Sequence, residues 1–459
     1  MGFATISPVV GLYAVVLVGT VVAGPAWVWV LPVALAGQCL LLAVYSGLAS
    51  EFPISGGAYQ WSRRLAGGAY GWMAGWVAIC AYGAANTTIA YLGAPWALTL
   101  LEIEPTPEAI VLTGMVLVVV SSLVGAMGVD RMARVVKAGI GAEAVASLGI
   151  GLALLLVFRE QDLSLFTETL GAEALSGGST GAALLAALAV GGWVFIGFDA
   201  CVGASEETRN ASRHVPRAIW IALLSVGALV ILNAFAVTLA HPDPAGIVAG
   251  KDVDPVSTAV VSSFGSWSDK PFAAIVLVAF VACGIAAQAL TARTIYSIAR
   301  DDVLPASAFL RRVDRRKAPI GAIAVTAVVA CLGLLLGLES AAVGSLIAFG
   351  TAAIYLSFLL TALAALVGRL SGRWKPAGRL GGRGGLAVNV LAVMWLLFET
   401  VNIAWPRESL APPDAPFYQV WAAPLVLVVI AAAGLGYLAA AKPHRRVPLG
   451  PDAEQTADP

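Results

Sequence analysis

Apolar runs of about twenty residues, each closed by a short polar stretch, recur along the whole chain. A helix that crosses the ~30 Å hydrocarbon layer needs such a run, because its backbone groups must bond within the segment. Twelve runs qualify, near 3–23, 26–50, 67–98, 109–127, 134–158, 183–203, 215–240, 271–299, 319–337, 341–367, 385–405 and 418–441. The third is long enough to begin tilted or partly interfacial, and 253–264 reads as a short re-entrant or surface helix within a longer loop. The pattern predicts an all-α polytopic membrane protein with about 12 transmembrane helices. The tail 442–459 is polar and Pro-bearing and reads as disordered.

Composition agrees and removes other classes. Of 459 residues, 59% are hydrophobic and only 12% charged, where a soluble domain carries roughly a quarter charged residues. Lys plus Arg and Asp plus Glu are 27 each, so the basic footprint of a nucleic-acid binder is missing. The five cysteines lie inside apolar runs without a CxxC pair, and the three histidines are far apart in sequence. No disulfide framework, metal centre or cofactor is indicated, and no phosphate-cradling loop suggests an ATP motor in this chain. The first basic residue is Arg63; with no charged n-region or cleavage site, the first run reads as a span rather than a signal peptide.

The distribution of charge orients the chain. Arg159, Lys251, Lys270 and Arg407 are the only Lys or Arg in odd-numbered loops; the rest fall in even-numbered loops or the C-terminal tail. By the positive-inside rule both termini lie in the cytoplasm, and the expected location is the plasma membrane.

Two runs are interrupted. The first carries Ser7-Pro8-Val9-Val10-Gly11 and the sixth Ile196-Gly197-Phe198-Asp199. Pro removes a donor and Gly weakens a helix, and an unwound turn at membrane depth is tolerated where it lines a cavity. The plainer reading is a kink or a close helix contact. Positions one and six are where two inverted five-helix repeats would place equivalent helices. That divides the chain into a transport core over 1–367, with repeats 1–158 and 183–367, and two accessory helices over 385–441. A carboxylate in lipid costs at least about 2.5–3.5 kcal/mol, so Asp199 should face a cavity or a partner.

Three segments carry a resemblance. Phe195-Ile196-Gly197-Phe198-Asp199, followed by Glu206-Glu207-Thr208-Arg209-Asn210 and Pro216-Arg217-Ala218-Ile219, resembles the sixth-span signature of amino acid–polyamine–organocation (APC) permeases. Glu51-Phe52-Pro53-Ile54-Ser55-Gly56-Gly57-Ala58-Tyr59 is similar to that superfamily's loop after the second span. Arg293-x-x-Tyr296, continuing through Ala299-Arg300-Asp301-Asp302 to Leu304-Pro305, is similar to its segment ending the eighth span. Gly24-Pro25-Ala26-Trp27 and the stretch from Gly372 to Pro406 most resemble the amino acid/choline branch, which includes GABA permeases. Members usually carry a cytoplasmic segment before the first span. Here the span begins near Phe3, the pattern a late-placed start site would leave.

The resemblance implies a LeuT-like fold and a secondary active importer of an amino acid or related amine. It would work by alternating access, with the cargo, a coupling ion and the lipid bilayer as its partners; the ion is read below from the residues as H⁺ rather than Na⁺. In many relatives the amides of a "G-S/T-G" turn hold the substrate carboxylate. The matching positions here are Val9, Val10 and Gly11, preceded by Ser7. The carbonyls of Phe195 and Ile196 beside Gly197 are expected to receive the ammonium, and Asp199 either to share that task or to hold the unwound turn. Asn86, with Tyr82 and Thr87 on the third run and Thr351 and Tyr355 on the tenth, either lines the cavity or joins helices.

Glu143 lies deep in the fifth run, where proton relay is the simplest use of an acid. The eighth run offers no evident hydroxyl pair for Na⁺ at Gly284-Ile285-Ala286-Ala287. Glu207 with Arg209 or Arg213 is a candidate cytoplasmic gate pair. Trp72 and Trp76 suit an interfacial belt, while Glu399, Asn389 and Asn402 suggest packing or a dimer contact. Alternatives are a choline, ethanolamine or polyamine transporter, an amino-acid exchanger, and, in a different class, a transporter-like nutrient sensor.

Overall fold

The computed structural model describes residues 2–338, 343–376, 380–411 and 415–446, and every regular element among them is helical. Eleven helical stretches there are long and apolar enough to cross a membrane. The first, Gly2–Glu51, contains 50 residues; a straight helix of that length would measure about 75 Å, more than twice the hydrocarbon thickness. It is divided at Gly24, whose φ is +61°. A Cβ there would stand 2.1 Å from the Thr169 carbonyl oxygen, so only glycine lets the chain turn against that loop. The turn Gly24–Trp29 leads into Val30–Glu51. The first two apolar runs are therefore two passes, and the expected twelve spans are accounted for.

The third span, Gly68–Leu101, extends for 34 residues with Pro95 inside it. At about 51 Å it exceeds a perpendicular crossing, as its long apolar run predicted. It packs against the fourth, eighth and tenth spans, Pro107–Ala126, Asp269–Arg300 and Val343–Leu370. The first part of span one, Gly2–Ile6, packs on spans seven and eight, while Pro8–Ala23 packs on the sixth. The helix Pro255–Phe264 forms where the loop reading placed one and leans on spans one, seven and eight.

Polarity is turned inward and apolar surface outward. On the fourth span Leu112, Val116 and Leu123 are exposed, as suits a helix solvated by lipid. The eleventh span, Gly382–Ala404, exposes Met394 and Leu397 but buries Glu399 and Asn389 completely. Asn389 donates to the Ala362 carbonyl at 3.2 Å and Asn402 to that of Leu185 at 3.1 Å. These polar residues pack the helix to its neighbours, and the outward face they would need for a dimer contact is apolar.

Trp72 and Trp76, expected in an interfacial belt, are packed against neighbouring helices. Trp72 is buried, stacked between Trp76 and Tyr437 of the twelfth span, and donates to the Val303 carbonyl at 3.0 Å. Trp76 donates to the Ile430 carbonyl at 3.0 Å. Each indole N–H finds a carbonyl partner and Tyr437 covers Trp72, contacts that are not visible in local sequence. Of the tail, Pro443–Arg445 forms a turn and Arg446 donates to the Asp302 carbonyl at 3.2 Å; residues 447–459 lie outside the described residues.

Candidate functional site

The first span breaks at Ser7, the first residue of the expected interruption. Pro8 disfavours α-helical geometry in the residue before it, and Ser7 adopts φ +47° between Gly2–Ile6 and Pro8–Ala23. Pro8, Val9, Val10 and Gly11 are helical rather than unwound. Pro at the first helical position is well placed, since its missing N–H would have had no intrahelical partner. The Ser7 hydroxyl caps the new helix by accepting from Val10 N–H at 3.1 Å, and the Ser7 carbonyl accepts from Gly11 N–H at 2.9 Å.

The sixth span breaks where the motif placed it. Thr180–Gly191 tightens into Gly192–Phe195, Ile196 is extended, and the chain resumes as Ala200–Gly203. Gly197 at φ +107° makes the bend. A Cβ on it would stand 2.8 Å from Thr5 Cγ2 and 3.1 Å from the Thr5 carbonyl, so the two interrupted spans meet backbone to backbone at this glycine.

A cavity of about 40 Å³ lies between them, with Ile6 and Val10, Tyr82, Trp193, Gly197 and Cys283 in its wall. That is room for about three water molecules. Ile196 also lines it, whereas Phe195 is fully buried behind. The carbonyls of Ile6, Phe195 and Ile196 receive no hydrogen bond among the described residues. Glu143 is fully buried; its Oε1 accepts from the Ser7 hydroxyl, while its Oε2 has no hydrogen-bond partner among the described residues.

Asp199 sits below the bend, outside this cavity. Its Oδ2 accepts from the Tyr82 hydroxyl, while Oδ1 is buried without a hydrogen-bond partner among the described residues. Asn86 is also outside, donating to the Tyr82 carbonyl at 2.7 Å and to Thr291 Oγ1 of the eighth span at 2.8 Å. It joins helices, one of its two expected roles. Tyr355 accepts from Gln38 at 2.6 Å and donates to the Gly192 carbonyl at 3.3 Å, bracing the turn before the sixth-span break.

A second cavity, about 290 Å³, opens at the end of the bundle rich in basic residues, with Gln288, Met132, Glu207 and Arg293 in its wall. Here the three motif segments meet. Glu207 pairs with Arg293 at 3.0 Å, Glu206 with Arg300 at 3.3 Å, and Arg63 with Asp301 at 3.3 Å. Tyr59 donates to Asp301 at 2.8 Å, and Ser55 N–H to Glu206 at 3.2 Å. The expected pairing of Glu207 with Arg209 does not form. Arg209 is exposed and turned away, its carbonyl bound to the His214 ring at 2.8 Å, because Asn210 takes the left-handed conformation right after it. Arg293 was the partner missed, and the signal for it was the co-occurrence of its motif with the Glu206-Glu207 pair. Away from that end, Tyr13 of the first span packs edge-on to Trp96 at 4.7 Å and against Phe272 at 6.2 Å.

Known proteins place this architecture. The chain is 28% identical over 47% of its length to an uncharacterized amino-acid permease of Schizosaccharomyces pombe, the match covering 39% of that protein. It is 24% identical over 86% of its length to amino-acid permease 2 of Neurospora crassa, covering 74% of it. Similarity to the branched-chain amino acid permease BcaP of Lactococcus lactis is 24% over 62% of this chain and 63% of that one. The alignments thus span less than two thirds of the fission-yeast and lactococcal proteins. A sequence model of the family described as amino acid permease matches residues 2–431. With interrupted spans around an internal cavity and a match over nearly its whole length, the chain belongs to the amino acid permease family and is a membrane transporter, not an enzyme.

Proposed function

We propose that the protein is a secondary active importer of an amino acid or a related amine, working by alternating access and coupled to H⁺. The observation that carries this reading is the meeting of two broken helices around a small cavity. A space for about three waters cannot admit an amino acid, so cargo enters only when helices separate at one end or the other. The aromatic contacts of Tyr13 and the ion pairs of Glu207 and Arg293 lie at opposite ends and serve as the two closures. The relatives' amino-acid permease names support an amino acid as cargo.

The first and sixth spans are the equivalent helices of two five-helix repeats, 1–158 and 183–367, with 385–441 accessory. Basic residues at the end bearing Arg63 and Arg300 put that end, and both termini, in the cytoplasm. Glu143 is the coupling residue. It is buried, joined to the helix that must move, and able to exchange a proton when the span shifts.

Reconstitution into proteoliposomes tests this directly. An imposed inward H⁺ gradient, with or without Na⁺, should drive accumulation from a panel of amino acids and amines, and a protonophore should abolish it. Strict Na⁺ dependence overturns the coupling assignment. Ligand binding without any uptake favours the sensor reading instead.

A further inference from the structure

Two segments at the basic end of the bundle carry charge that the protein itself leaves unpaired. The start of the fifth span, 128–137, holds three Lys or Arg, and the loop 311–317 holds five. All of them are exposed, and none forms an ion pair or a side-chain hydrogen bond among the described residues. Arg63, Arg293 and Arg300 of the motif segments, by contrast, are each paired with an acid. The acids within the two segments are otherwise employed. Asp314 holds its own loop, accepting from the N–H groups of Arg316 and Ala318 at 2.9 Å each. Asp130 stands in the first turn of its helix, where a negative charge suits the dipole.

The two segments meet, since a Cβ on Gly128 would stand 3.4 Å from Arg316 Cβ. The cavity of about 290 Å³ opens between them, with Val129, Val313 and Lys317 in its wall, and both valines are exposed beside the cations. Further in, the wall is Met132, Ile285, Ala289 and Ile323. At about 3.6 residues per turn, Cys283, Ala287 and Leu290 share the face of the eighth span that lines the small cavity, and Ile285, Gln288 and Ala292 share the opposite face. The large cavity is therefore separate from the small one and lies toward the fourth, fifth and ninth spans.

The positive-inside rule accounts for cations at this end, but not for their gathering around an apolar opening between helices. Free guanidinium and ammonium groups beside exposed valines, over a cleft walled by Met and Ile, match a lipid with a negative headgroup.

We propose that the two basic segments and the cavity between them bind an anionic phospholipid. Its phosphate lies on Arg131, Arg316 and Lys317, and an acyl chain enters the cavity beside Met132 and Ile285.

Native mass spectrometry of the delipidated full chain tests this with palmitoyl-oleoyl phosphatidylglycerol and the phosphatidylcholine of the same chains. The first phosphatidylglycerol should bind about tenfold more tightly than phosphatidylcholine. The double variant Arg316→Gln with Lys317→Gln should cut that preference to about twofold, while Arg209→Gln with Arg213→Gln, on another loop of the same end, should keep it. Equal affinity for the two lipids, or equal loss from both double variants, overturns the site, because the charge then acts as a general surface property. Millimolar glycerol 3-phosphate should not displace the lipid; full displacement overturns the lipid as occupant in favour of a free phosphate anion.

The chain is tested apart from the headgroup. Ala289→Phe narrows the cavity without altering charge and should weaken phosphatidylglycerol about fivefold. Val313→Asn at the exposed rim leaves the core alone and should weaken it about threefold, so a folding failure of the first variant leaves the second to decide. Unchanged affinity in a folded variant overturns the placement of the chain.

Discussion

The Ser7 hydroxyl donates to the Glu143 carboxylate across 136 positions of sequence, at the point where the first span breaks. Both side chains are completely buried. A buried carboxylate so placed ties the fifth span to the first at its break, and its charge decides the strength of the tie. Glu143→Gln keeps an oxygen for Ser7 but cannot release a proton. H⁺-driven accumulation should fall by about tenfold or more, while ligand binding and substrate exchange persist. Loss of both together would mean that Glu143 only holds the helices.

Tyr82 and Asp199 form a second buried bond, joining the third span to the turn below Gly197. Tyr82→Phe would strip Asp199 Oδ2 of its donor and leave the carboxyl without a side-chain partner, at a cost of about 1–3 kcal/mol. The unfolding midpoint in detergent should drop, and uptake with it. Asp199→Asn, which can still accept from Tyr82, should retain more stability than Tyr82→Phe but transport poorly.

Gly197 is held at φ +107° against the Thr5 backbone. Gly197→Ala adds about 1–3 kcal/mol of backbone strain and pushes the first span away at its break. Uptake should be lost even in protein that is extracted folded. Wild-type rates in this variant would show that the two breaks need not touch for transport.

At the basic end, Glu207 and Arg293 are partly exposed, so their pair is worth at most about 1 kcal/mol to stability. Its effect should be on transport instead. Glu207→Gln and Arg293→Gln should change the uptake rate alike, and the double variant should be no worse than either. Arg209→Gln should match wild type. Purely additive losses in the double variant would count against a shared closure.

In the loop after the seventh span, Asp252 accepts from the His241 ring at 2.8 Å. Burial alone would raise the Asp252 carboxyl, but His241, the Asp254 N–H and Thr258 together hold it below its ordinary value. A depressed carboxyl stabilises the fold above its unfolded pKa, and that contribution is lost as pH falls through the folded value, hence below about pH 4. Melting curves between pH 3 and 6 should show this loss in the wild type and a flatter acid limb in Asp252→Asn.

The sequence by itself determined the passes and the two interruptions. Hydrophobic length is a local property, and Pro8, Gly24 and Gly197 act on their own backbone, so both could be read from the chain. Even there the break narrowed from Ser7–Gly11 to Ser7 alone, because a proline disturbs the residue before it while starting a helix well. The partners of Glu143, Asp199, Glu207 and Trp72 were decided by the tertiary structure alone. Each bond joins different spans, and no periodicity within a span says which neighbour will face a buried acid or indole. The same is true of the amides of Val9, Val10 and Gly11. Their sequence positions match a carboxylate site, but Ser7 binds the amides of Val10 and Gly11, and a buried acid of the fifth span stands at the same break, which only packing could bring together.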